Sequence, residues 1–308
     1  MSDLLLNTSD NREPLQASFS DAANPLGLDG IEFIEYATTK PQALGQVLEM
    51  MGFRPVARHR SREVLLYRQG DLNVVVNAHP SDAQGAGHGS DVPTISAMAL
   101  RVRDARAAYH YVLERGAWSV PTHAEVMELN IPAIHGAGGS RIYFVDRYKE
   151  FSIYDVDFVP IPTVDQRPPA TAGIHFFGVV QYIGPERTND WIAFYSELFG
   201  TEVIPDEQRF GIMPKGTLLR TPALDAAKRF MLQLVEPPLN VHDAQEKLQR
   251  IGLGVPDVLA AVKALRALGV EFVETEAAHT EQRGAISKTY LGSVVFELVH
   301  SLQRSSEA

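Results

Sequence analysis

The sequence predicts an α+β protein made of two tandem modules, each a pair of βαβββ units whose sheet curls into an open barrel with its helices outside. Three observations carry this expectation. The 308 residues leave room for two domains of about 150 residues each. The two halves show the same strand and helix patterns in the same order. Between them lies a stretch, Pro160 to Ala172, with prolines at 160, 162, 168 and 169, which reads as an extended linker because proline fixes φ and removes a donor.

Taken in order, residues 1–27 are polar and read as a loose leader, and MSDLLLNTSDNREP lacks the basic and long apolar regions of a secretory signal. The N-terminal module, 28–159, opens with an alternating strand, GIEFIEYA, and a helix, KPQALGQVLEMMGF, stopped at Gly52. The C-terminal module, 173–303, opens in the same way with HFFGVVQYIG and RTNDWIAFYSELFG, stopped at Gly200. Further on, 96–120 parallels 249–273: each is a strand, a turn holding an aspartate (Asp104, Asp257), an amphipathic helix, and a glycine (Gly116, Gly269) before another strand. Each half closes on a strand, expected over 141–158 and 287–301. One such match could be chance; three in one order point to duplication. Sheets of about eight strands with one buried face would curl around an interior. Trp191, Phe194, Tyr195 and Phe199, at helical spacing, form a core-facing stripe.

Composition narrows the chemistry. Apolar residues make up 45% and charged residues 21%, the balance of a soluble globular chain. A net charge of −10 argues against nucleic acid or an anionic membrane as partner. The sequence contains no cysteine, which excludes disulfides, thiolate nucleophiles, cysteine-bound zinc and iron–sulfur clusters. No apolar run approaches 18 residues. A cytoplasmic protein is expected, and any metal would need ligands from aspartate, glutamate or the ten histidines.

The phrases GIEFIEYA, RHRSREVLLYRQGDLNVVVNAHP (58–80), NIPAIHGAGGSRIYFVDRY (130–148) and SIYDVDFVPI (152–161) resemble the N-terminal half of 4-hydroxyphenylpyruvate dioxygenases, of the vicinal oxygen chelate superfamily (glyoxalase/bleomycin resistance/dioxygenase). The resemblance covers nearly the whole chain after residue 28. It implies tandem vicinal-oxygen-chelate modules, a structural first barrel, and a second barrel holding Fe(II) on two histidines and one glutamate. It also implies a small aromatic or keto acid as ligand, and it is compatible with a homo-oligomer.

Carried onto this sequence, the three ligand places fall on Gly178, Arg250 and Glu297. Glycine has no donor, and a guanidinium is a permanent cation without a lone pair. Only Glu297 of the family's three is retained, so no metal and no cofactor is expected, with Fe(II) as the family's alternative. The substrate-lining places of the resemblance fall on Gly216, Gln233 and Val235. Only eleven residues follow Glu297, so the family's closing C-terminal helix is expected to be missing. Arg250 and Glu297 are the candidate catalytic or binding pair, expected to meet as a direct ion pair inside the second barrel, with Gly178 giving room for the arginine or for a ligand. The plain alternative is a structural salt bridge filling a former metal site.

Other polar residues are weaker candidates. His175 and His300 lie three residues from a ligand place, which strand alternation puts on the opposite face. His242 and His279 read as solvated loop histidines. His88 and His135 sit in glycine-rich loops that match no phosphate-binding pattern. In the first module the equivalent places fall on Phe33, Ala97 and Ser152, which coordinate nothing. Two function classes follow, a small-molecule enzyme or binding protein using the second barrel, and a catalytically silent accessory or structural homologue. An iron-dependent dioxygenase is a third, resting on the resemblance.

Overall fold

The computed structural model describes residues 23–78, 92–121, 129–205, 216–237, 245–274 and 284–302. His88, His242, His279 and most of the leader lie outside them. In the N-terminal half the elements are β1 (Ile31–Ala37), α1 (Pro41–Met50), β2 (Arg54–His59), β3 (Val64–Gln69), β4 (Leu72–Asn77), β5 (Thr94–Arg101), α2 (Ala105–Glu114), β6 (Ala133–His135), β7 (Arg141–Val145), α3 (Ile153–Asp157) and β8 (Phe158–Pro160). The C-terminal half repeats them as β9 (His175–Tyr182), α4 (Thr188–Phe199), β10 (Glu202–Val203), β11 (Thr217–Arg220), β12 (Met231–Val235), β13 (Lys247–Val255), α5 (Val258–Ala267), β14 (Ala285–Ile286) and β15 (Phe296–His300).

The pairing shows the duplication directly. The first half runs β8-β2-β3-β4-β1-β5-β7-β6, and the second runs β10-β11-β12-β9-β13-β15-β14. In both, the opening strand lies parallel to the fourth (β1 to β4, β9 to β12) and antiparallel to the fifth (β1 to β5, β9 to β13). Neither sheet closes on itself. The last unit of each half keeps only a remnant of one strand, the isolated bridges Ser119–Ile134 and Phe272–Ser287.

The local signals explain the helices. Asp104 and Asp257 cap α2 and α5, their side chains accepting from the Ala107 and Ala260 amides. Gly200 ends α4 at φ 70°, a left-handed turn that costs glycine nothing. Helices α1, α2, α4 and α5 press their apolar stripes on the outer sheet face, and these contacts merge into one core running through both halves. Phe144 of β7 meets Phe199 of α4 at 6.4 Å between ring centres, and Ile95 of β5 pairs with Leu248 of β13.

Several expectations need correction. The closing segment 141–158 is not one strand. Ser152 and Asp155 form a reciprocal capping box that starts α3 after β7 ends. In 287–301 only Phe296–His300 is a strand, because Leu291 and Gly292 turn the chain at positive φ. Residues 160–172 are not an extended tether. The Gln166 amide donates to the Val56, Ile161 and Val164 carbonyls, and the Gly70 amide donates to the Pro168 carbonyl, so the segment lies packed on the first half. At the start, Asn24 and Leu26 are buried, with the Asn24 side chain bonded to the Leu28 backbone in both directions, so this part of the leader is anchored.

Candidate functional site

The two barrel interiors differ. The first is filled by a second apolar cluster that includes Phe33, Val56, Leu66, Ala99, Val145 and Phe158. Phe33 meets Tyr143 at 5.9 Å between ring centres. The second contains a cleft open to solvent, with Gly178, Val180, Leu218, Gln233, Gly252, Glu297 and Val299 among its walls.

Register explains why the three ligand places share one inner face. Gly178 of β9 pairs with Gly252 of β13, and Gly252 pairs in turn with Glu297 of β15. Arg250 lies two residues from Gly252 along β13, on the same side. The corresponding pairs in the first half are Phe33 with Ala99 and Ala99 with Tyr143. The counterpart of Glu297 is therefore Tyr143, not Ser152, which caps α3.

Arg250 and Glu297 are in direct contact. The Arg250 Nε donates to Glu297 Oε2 at 2.8 Å, and both residues are buried, 2% and 5% exposed. Arg250 Nη1 donates to the Gln249 side chain at 3.3 Å, while Nη2 is buried without a partner among the described residues. A guanidinium that meets the carboxylate through Nε alone leaves the bidentate fork unmatched, and the orphaned Nη2 donor costs about 1–3 kcal/mol.

The other candidates fall as follows. Gln233 lines the cleft from β12. Gly178 does too, but the space beside it is not open to the arginine. A methyl group there would run into the Met231 carbonyl of the adjacent strand β12. Strand β12 has closed over the place where a side chain would stand. Gly216 is held for its backbone, with φ +93° and its open side against the Leu234 carbonyl. Val235, half-buried at the end of β12, is likewise not among the cleft's walls.

His175 needs a different correction. Opposite Gly254, Leu253 and Gly252 of β13 stand His175, Phe176 and Gly178, so the pairing skips Phe177. This bulge reverses the alternation and puts His175 on the same face as Gly178. Its ring is bonded at 3.1 Å both to the Gly173 carbonyl and to the Ser301 hydroxyl. Burial, together with nearby Lys228, pulls its pKa below the ordinary 6.5 despite the Gly173 bond. His300 is exposed, and His135 is half-buried on β6.

One polar pair escaped the sequence reading. Arg101 of β5 donates from Nε to Glu32 Oε2 at 2.6 Å, and Glu32, 2% exposed, also accepts from Asn73. Burial raises the Glu32 pKa and the Arg101 charge works against the rise. The signal was present as an acid inside an apolar strand and a cation ending its neighbour. Gly252, Val180, Leu218 and Val299 were also missed, although Gly252 follows from two-residue alternation after Arg250.

Among the described residues, no three His, Asp or Glu side chains come together as a metal site, and no helix is long and apolar enough to cross a membrane. Of the three expected ligand places, Glu297 alone carries a side chain able to coordinate, and its Oε2 is taken by Arg250.

Comparison with known proteins agrees with this architecture. Residues 22–159 match the family model described as hydroxyphenylpyruvate dioxygenase, N-terminal, and residues 179–289 match the glyoxalase/bleomycin resistance protein/dioxygenase superfamily. A 4-hydroxyphenylpyruvate dioxygenase of Pseudomonas sp. (strain P.J. 874) is 34% identical over 81% of this chain and 72% of its own length. Hemolysin VllY of Vibrio vulnificus is 36% identical over 83% and 74%. A 3-dehydroshikimate dehydratase of Pseudomonas aeruginosa is 34% identical over 80% of this chain but only 40% of its own length. Among solved structures, a xylose isomerase-like TIM barrel/4-hydroxyphenylpyruvate dioxygenase fusion protein superposes with a TM-score of 0.70 at 20% identity, covering 91% of this chain and 50% of that one. A 4-hydroxymandelate synthase mutant from Streptomyces coelicolor gives 0.66 at 16% identity, covering 90% and 95%. These two speak for the fold alone. With two matched modules in tandem and relatives above 30% identity over 72% and 74% of their own length, the chain belongs to the 4-hydroxyphenylpyruvate dioxygenase family.

Proposed function

We propose that the second barrel binds a small aromatic or keto acid without a ferrous ion, and that any chemistry there uses Glu297 and Arg250 rather than a metal. The observation that carries this reading is the ion pair at 2.8 Å beside a cleft that the first barrel lacks. A facial iron site needs three donors with open positions for oxygen and a chelating substrate. The side chains at 178, 250 and 297 do not fit that ion: one is absent, one is a cation, and the third is already paired. The ligand class comes from the relatives named as dioxygenases of 4-hydroxyphenylpyruvate. Gln233 and Gly178 serve in this reading as cleft walls, while Gly216 and Val235 support the strand that carries Gln233.

The test combines metal analysis with a thermal-shift screen of aromatic and keto acids, since a ligand bound only by the native state raises the midpoint. Protein purified without chelator should carry no stoichiometric iron, and at least one compound should stabilise it. Stoichiometric iron that disappears in Glu297→Ala would overturn the reading in favour of an iron-dependent dioxygenase, which the sequence identity to such enzymes supports. A screen without any stabilising compound would favour a silent accessory protein.

A further inference from the structure

Resting on the reading of the second barrel as a ligand site, we infer that at Glu297 this cleft takes an aromatic hydroxyl, a phenol or catechol, rather than a carboxylate, so that an acid ligand must carry its anionic group away from Glu297. The inference comes from which member of the ion pair faces the cleft. Glu297 is one of its walls and Arg250 is not. The arginine is spent elsewhere: Nε on Glu297 Oε2, Nη1 on Gln249, and Nη2 buried away from solvent. Oε1, which takes no hydrogen bond from the described residues, is the carboxylate oxygen left for a ligand.

A carboxylate group only accepts hydrogen bonds, so a ligand must bring the donor. A ligand carboxylate there would bring a second anion beside Glu297. Apart from Gln233 the rest of the wall is apolar, with Val180, Leu218 and Val299 around the two glycines, and repulsion between like charges is strong where water is excluded. A phenolic hydroxyl loses least and gains a charge-assisted bond. Its ring finds space where Gly252 leaves the wall without a side chain, in a part of the barrel whose counterpart in the first half is filled by Phe33 and Tyr143.

The test measures affinities of the whole chain for three matched probes, by ligand-observed NMR titration: 4-methylphenol, 4-methylanisole and 4-methylbenzoate. The first carries a donor, the second lacks it, and the third carries a negative charge. The phenol should bind tighter than either by about tenfold or more, the worth of one hydrogen bond to a charged acceptor. Gly252→Val, which puts a branched side chain in the cleft and leaves the ion pair intact, should abolish binding. Glu297→Gln, compared on the same three probes, should remove the preference for the phenol. If the benzoate binds as well as the phenol and Gly252→Val removes both, the ligand site stands and this inference fails. If no probe binds, or if binding ignores Gly252→Val, the ligand-site reading fails and this inference falls with it.

Discussion

Removing the Arg250 guanidinium while keeping its bulk is the most direct probe of the second barrel. In Arg250→Met the Glu297 carboxylate, 5% exposed, loses its one charged partner among the described residues and is stranded in a largely apolar wall. Breaking one side of a buried pair in this way costs about 3–5 kcal/mol. Part of that is returned, because the orphaned Nη2 donor, itself costing about 1–3 kcal/mol, disappears with the arginine. The net loss should therefore be about 2–4 kcal/mol. Adding Glu297→Leu removes the stranded charge, and the double variant should recover to within about 1 kcal/mol of the parent, as hydrophobic replacements of buried pairs do. Urea unfolding of the parent, both single variants and the double variant closes a double-mutant cycle and isolates the coupling. A coupling near zero, with each single change costing less than about 1 kcal/mol, would refute the argument, because a pair that close and that buried cannot be energetically silent.

Four further outcomes follow from the structure. Gly178→Ala should destabilise by about 1–3 kcal/mol, since its methyl group meets the Met231 carbonyl and β12 must shift, whereas Gly252→Ala, whose methyl would sit 3.5 Å from the Gly178 backbone, should be tolerated; equal melting temperatures would contradict this. For the same reason Gly178→His with Arg250→His should not rebuild a ferrous site, and tight Fe(II) binding by that double variant, measured by calorimetry, would show that β12 yields. His175 has a lowered pKa in the folded state, so the unfolded chain binds more protons and stability must fall as pH drops through 6.5 towards the folded value; His175→Gln should flatten that part of the pH–stability curve, and an unchanged slope would mean another group is responsible. Phe33→Ala should cost about 3–5 kcal/mol by opening a void in the filled first barrel, and a loss below about 1 kcal/mol in urea unfolding would show that interior to be loosely packed.

The parts of this molecule that were legible in sequence are those encoded locally. Asp104 and Asp257 mark helix starts, Gly52 and Gly200 mark helix ends, and period-two alternation marks β1 and β9; each depends on neighbours a few residues away. The convergence of Arg250 and Glu297 was legible because family register put both on one inner face. What was not legible depends on small breaks in regularity or on distant contacts. A skipped residue at Phe177 turned His175 to the face that strict alternation denied it. Ser152 looked like part of a strand until its bond with Asp155 made it a helix start. The closure of Met231 over Gly178 is a contact between strands separated by some fifty residues, and nothing in either strand announces it.

The core beneath the helices has a consequence for how the chain behaves as a whole. Because the apolar cluster passes through both halves, with Phe144 resting on Phe199 and β5 touching β13, neither barrel can melt without exposing part of the other. The duplicated halves thus form one thermodynamic system. The first barrel, solid inside, acts as ballast for the hollow one, and free energy gained when a ligand enters the second is shared with residues on the far side of the molecule. A duplication that began as two equal copies has become a division between the copy that holds shape and the copy that can hold something else.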